Sequence, residues 1–100
     1  MKYFVIGDED TVLGFSLVGV DGQSVSKRAE ALEAFDRALE NKDYGIIIIT
    51  EAVSDLIRDT VDKFLFTEAF PLIVEIPSAK EGKYKKDLRA LVNDAIGVSL

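Results

Sequence analysis

Tyr44-Gly45-Ile46-Ile47-Ile48-Ile49-Thr50-Glu51 is the stretch whose reading decides the fold. Four consecutive isoleucines without polar alternation mean a strand buried on both faces, the condition of a central strand in a parallel sheet covered by helices. Upstream, Lys2 to Ile6 reads as another buried strand from its aromatic and β-branched run, and it ends at Gly7. Asp8 or Asp10 then caps a first helix expected to run to about Val18, with Gly14 inside it implying close packing. Gly19 and Gly22 punctuate a turn, Gln23 to Val25 reads as a short strand, and Ser26 is the expected N-cap of a second helix. That helix has an expected core stripe of Ala29, Leu32, Phe35 and Leu39, and Asn41-Lys42-Asp43 ends it.

Downstream of the isoleucines, Thr50 is placed to cap a third helix with Val53, Leu56, Ile57, Val61 and Phe64 on one stripe. Pro71 opens a strand from Leu72 to Ile76, and an acid at Glu75 between Pro71 and Pro77 marks it as an edge. Leu88, Leu91, Val92, Ala95 and Ile96 follow helical spacing, with Gly97 placed to terminate that last helix. Right-handed crossovers then give an α/β fold: a small doubly wound open parallel sheet of four strands in order 2-1-3-4, receiver-like in topology, with a C-terminal amphipathic helix. The expected organisation is one domain over 1–100, an α/β core at 1–79 and a basic helical segment at 80–100.

Composition limits what such a fold does. Among 100 residues, 48% are apolar, two are proline and none is cysteine or histidine. The absent cysteines remove disulfides and thiolate chemistry and agree with a reducing cytoplasm. Lacking both residues, the chain has no Ser-His or Cys-His pair and no phosphohistidine or phosphocysteine carrier site. The net charge of −6 argues against nucleic acid, whose binders carry a basic stripe. The apolar runs are too short to span a bilayer, and MKYFVIGDED lacks a signal peptide's apolar region, so direct membrane insertion is not expected.

Three features stand as candidate sites. Asp8-Glu9-Asp10 after the first strand either holds Mg²⁺, as in a receiver domain, or complements a helix dipole. A receiver also needs a phosphoacceptor aspartate after the central strand, where this chain has Ile49-Thr50-Glu51. The glycines Gly7, Gly14, Gly19 and Gly22 do not match a dinucleotide-binding spacing, and acids at that helix end would repel a pyrophosphate. The third feature is charge asymmetry: 1–79 is net −8 and 80–100 net +2, with Lys80, Lys83, Lys85, Lys86 and Arg89 forming a basic patch. Cations at a helix start oppose its dipole, so this last helix is locally marginal and needs a surface on the domain or on a partner. No catalytic, cofactor or metal residue is assigned.

Taken in order, GDEDTVLGFSLVGV over 7–20, YGIIIITE over 44–51, PLIVEIP over 71–77 and the IGVSL tail resemble the F subunit of V/A-type rotary ATPases. The resemblance spans nearly the whole chain and departs from the family in the aromatic run Lys63 to Phe70. It implies a non-catalytic central-stalk (rotor) subunit of a proton- or sodium-translocating complex. Such a subunit is cytoplasmic, is held at the membrane through that complex, and binds the long coiled-coil D subunit beside other subunits. The resemblance also implies a C-terminal segment that changes position and modulates coupling. From the residues, the interface candidates are Phe66 and Phe70, with Ile96, Val98 and Leu100 of the tail as a second contact. Such a surface, left uncovered on the isolated chain, would favour self-association. The alternative function is a receiver-like signalling domain or another small interaction module.

Overall fold

The computed structural model describes residues 2–78. The expected last helix from Leu88 to Ile96 with Gly97, the basic residues Lys80, Lys83, Lys85, Lys86 and Arg89, and the tail contacts Ile96, Val98 and Leu100 lie outside the described residues. The elements are β1 (Lys2–Gly7), α1 (Glu9–Ser16), β2 (Asp21–Ser24), α2 (Arg28–Glu40), β3 (Tyr44–Thr50), α3 (Glu51–Leu56), α4 (Arg58–Thr67) and β4 (Leu72–Ile76). They form a four-stranded sheet in the order β2-β1-β3-β4. Every strand pair is parallel, with Val5 beside Ile48 and Ile48 beside Val74.

Side-chain alternation assigns the two faces. Ile6, Ile47, Ile49 and Ile73 point into one core with Ala31, Ala34, Phe35 and Ala38 of α2 and with Val53, Ile57 and Val61. Val5 turns the other way, toward Val12 of α1. The isoleucine run is accordingly central: Ile47, Ile48 and Ile49 are buried and Ile46 half-buried.

Local chemistry moves several boundaries from where the residues alone put them. α1 stops at Ser16 rather than Val18, because Gly19 takes a left-handed φ of 85° and the Val20 N–H donates back to the Phe15 carbonyl. Gly14 is not closely packed: a Cβ there would meet nothing within 4 Å. Gly22 belongs to β2 rather than to a turn, and a Cβ on it would stand 2.8 Å from the Val5 carbonyl oxygen. β2 begins at Asp21 and ends at Ser24, which leaves Val25 in the connection, buried in the core.

Ser26 does not cap α2. Its N–H and hydroxyl donate to the Glu30 carboxylate at 3.0 and 3.3 Å, the Lys27 N–H joins at 3.2 Å, and the helix starts at Arg28. These donors hold the Glu30 carboxyl below the usual range. The buried stripe of α2 is Ala31, Ala34, Phe35 and Ala38, while Ala29 is exposed and Leu32 and Leu39 are half-buried. Alanines directly over the isoleucine strands let the helix approach closely, which moves the larger leucines to the flanks. The single helix expected after Thr50 is broken at Ile57 (φ −130°, ψ 36°), so α3 and α4 take separate axes. Val53, Ile57 and Val61 stay buried across the break.

Candidate docking surface

The aromatic run at the end of α4 divides by helical angle. Val61 is buried and Phe64 packs edge-on against Phe35, ring centroids 5.9 Å apart, which sets the inward side of the helix. Phe66, two residues beyond Phe64, is turned away from that side and is 94% exposed. Phe70 lies past the helix, 54% exposed, above a hollow it shares with Lys2, Lys42 and Asp43 at the amino ends of the strands. An apolar strip continues from Phe70 into Leu72 and Val74, exposed by 55% and 37%. Phe66 and Phe70 therefore both face outward, one at the end of α4 and one in the connection that follows it.

A cluster that sequence patterning does not single out holds this region in place. The Arg58 guanidinium at the start of α4 donates to both carboxylate oxygens of Glu75 in β4, at 2.8 and 3.0 Å. It also reaches Asp55 at 2.6 Å and Asp62 at 3.3 Å. Arg58 keeps the Glu75 carboxyl below its ordinary range, and these carboxylates raise the guanidinium's own pKa. The signal available in the sequence was Glu75 itself, an acid inside an apolar strand; its partner 17 residues earlier is visible only in three dimensions.

The crevice at the carboxyl ends of the strands lies at the opposite pole of the sheet. Its walls are Asp8, Glu9, Asp10, Ser24, Val25, Ser26 and Glu30, around about 370 Å³. Asp8 acts there as the N-cap of α1, accepting from the Thr11 N–H at 3.2 Å and from the Thr11 hydroxyl at 2.8 Å. Glu9 and Asp10 fill the first helical turn, where acids complement the dipole. Thr50, at the receiver's phosphoacceptor position, is fully buried and accepts from the Val53 N–H at 3.3 Å as the cap of α3. Among the described residues no group of three His, Cys, Asp or Glu side chains is placed to hold a metal ion. No described helix is long and apolar enough to cross a membrane.

Comparison with known proteins shows which assembly this architecture serves. The family model described as ATP synthase (F/14-kDa) subunit matches residues 4–92. The chain belongs to the ATP synthase F subunit family. The A-type ATP synthase F subunit of Pyrococcus furiosus is 40% identical over 108 aligned positions, covering 100% of this chain and 98% of that protein. The probable V-type proton ATPase F subunit of Caenorhabditis elegans is 35% identical, covering 94% of this chain and 85% of that protein. The crystal structure of the V-type ATP synthase F subunit from Archaeoglobus fulgidus superposes with a TM-score of 0.60 at 26% identity, over 75% of this chain and 95% of that one. This F subunit is thus one component of a rotary ATPase, and its four-stranded parallel sheet agrees with that solved neighbour.

Proposed function

We propose that this F subunit is a non-catalytic docking module of the central stalk, seated on the coiled-coil D subunit through Phe66 and Phe70. The observation that carries the reading is Phe66, a large aromatic side chain 94% exposed, followed by an exposed Phe70, whereas Phe64 of the same run is half-buried and packs against the core. Aromatic anchors on otherwise polar surfaces are where binding energy concentrates in protein interfaces. A coiled coil offers apolar seams against which two such rings pack.

Within this reading Ile96, Val98 and Leu100 supply a second contact. Lys80, Lys83, Lys85, Lys86 and Arg89 form a basic patch through which the tail modulates coupling. The subunit reaches the cytoplasmic side of a membrane sector through its complex, and ATP chemistry resides in other subunits. The direct test is co-expression with the coiled-coil subunit, then size-exclusion chromatography of wild type and of the Phe66→Ala, Phe70→Ala double variant. At roughly 2 kcal/mol for each anchor, about 30-fold apiece, the folded double variant should elute apart from the partner while wild type co-elutes. A double variant that co-elutes as tightly as wild type would remove these two residues from the interface.

A further inference from the structure

We infer that Arg28 is a positioning residue for the docking surface: its guanidinium enters the helical segment after β3, holds the break at Ile57 and so sets the axis along which α4 presents Phe66, the last step resting on the docking role proposed above. From Thr50 to Thr67 the chain contains neither proline nor glycine. Val53, Ile57, Val61 and Phe64 keep one apolar stripe at helical spacing across the same stretch, so the local sequence favours a single helix. Ile57 nevertheless takes φ −130° and ψ 36°, and no side chain of the segment caps α4 there. Sharp helix breaks have identifiable causes, and without proline, glycine or a π-turn the remaining one is a group inserted into the hydrogen-bond ladder.

Arg28 is that group. Its Nη1 donates to the Leu56 carbonyl oxygen at 2.7 Å, across 28 residues of sequence. In an unbroken helix that oxygen would accept from the Thr60 N–H, four residues on, and a charged donor at short range competes for it. The adjoining backbone follows suit. The Ile57 N–H donates to the Ser54 carbonyl at 3.1 Å, which tightens the last turn of α3, and the Val61 N–H donates to the Ile57 carbonyl at 3.0 Å, which starts α4 afresh. The Arg28 guanidinium also lies 3.8 Å from the Asp59 carboxylate in the first turn of α4, so one side chain of α2 meets both sides of the break. Arg58 and the buried Ile57 pin where α4 begins, and Arg28 sets the angle at which it leaves. The ten residues of α4 span about 15 Å, so a change of about 20° in its axis carries the end bearing Phe66 about 5 Å.

The chain contains no cysteine, so two introduced thiols report the angle directly. Spin labels on Asp36→Cys, on the exposed side of α2, and on Thr67→Cys, at the end of α4, would give the distance between the two helices in the full-length chain by pulsed electron resonance. In an otherwise wild-type chain one narrow distance is expected. Arg28→Met keeps the aliphatic stem and removes the donors, and it should shift or broaden that distance by about 5 Å with an unchanged circular dichroism spectrum. Arg28→Lys, which keeps a cation on a similar stem, should retain the wild-type distance. Titration of unlabelled chains with the coiled-coil stalk protein should show Arg28→Met binding about tenfold more weakly, short of the roughly 30-fold expected when the Phe66 ring is removed. A distance that Arg28→Met leaves unchanged overturns the inference, whatever the stalk protein does. So does a shifted distance with wild-type affinity in a titration where Phe66→Ala weakens binding. If Phe66→Ala binds as tightly as wild type, the docking role fails by itself, and the distance alone then decides the part played by Arg28.

Discussion

Two glycine-to-alanine substitutions should move stability in opposite directions, and the reason lies in what a methyl group would meet at each. At Gly22, in β2, a Cβ would stand 2.5 Å from Val5 Cγ1, 2.8 Å from the Val5 carbonyl oxygen and 3.0 Å from Val12 Cγ1. The carbonyl belongs to β1, which is hydrogen-bonded to strands on both sides, so relief requires moving β2 or tilting α1. Overpacking of that kind costs about 1–3 kcal/mol. At Gly14, inside α1, a Cβ would meet nothing within 4 Å. Alanine there improves helix propensity and reduces the entropy of the unfolded chain, a gain of about 0.4–1 kcal/mol.

For a domain of this size 1 kcal/mol corresponds to roughly 4–8 °C in Tm. Gly22→Ala should therefore melt about 5–20 °C below wild type and Gly14→Ala about 2–8 °C above it. Thermal melts followed by far-ultraviolet circular dichroism, with urea titrations for the free energies, would measure both. A Gly22→Ala protein as stable as wild type would refute the close β1–β2–α1 packing, and a destabilised Gly14→Ala would refute the open environment of α1.

Replacing Phe35, fully buried against Phe64, with alanine should cost about 3–5 kcal/mol, whereas Phe66→Ala should change stability by less than about 0.5 kcal/mol in the same urea titration. Glu75 has a folded-state pKa below its unfolded value of about 4.3, so its contribution is present above that value and is lost as pH falls through the folded one. Because the Arg58 side chain is 38% exposed, solvent screening keeps the pair's contribution small. Wild type should be more stable than Glu75→Gln at pH 7, and the difference should vanish in strong acid. Burial raises the Tyr44 hydroxyl pKa first and its hydrogen bond to Asp21 raises it further, so Asp21→Asn should lower that pKa only in part, read by ultraviolet titration. Charge reversal at Lys83, Lys85 and Lys86 should alter ATPase coupling or assembly of the complex more than it alters the melting temperature, and unchanged coupling would count against a regulatory tail.

The sheet was legible because its strongest determinants are local. Four isoleucines in a row have no solvated face, and parallel crossovers then leave little freedom in strand order. The caps at Asp8 and Thr50 were legible for the same reason, being contacts three residues long. What escaped depends on distant neighbours. Whether Gly14 or Gly22 is the closely packed glycine is decided by the position of Val5, and the rotation of the α2 stripe toward alanine is decided by how near the helix must lie to β3. At the candidate docking surface, the residues put Phe64 on the core stripe and named Phe66 and Phe70 as candidates, but left open whether those two pack inward; their exposure is visible only in the fold. The Arg58–Glu75 pair and the open strip at Leu72 and Val74 needed the strand to be placed first. The family resemblance rested on four separated blocks taken in order, which is why it held where no single motif would have sufficed.

Holding a coiled-coil stalk partner is the role proposed for this F subunit, and co-elution of the two purified proteins tests that role most directly. The expected result is a one-to-one complex that the Phe66→Ala, Phe70→Ala variant abolishes while keeping the wild-type melting temperature. Wild-type chains that elute separately from the stalk protein, with both folded, would contradict it.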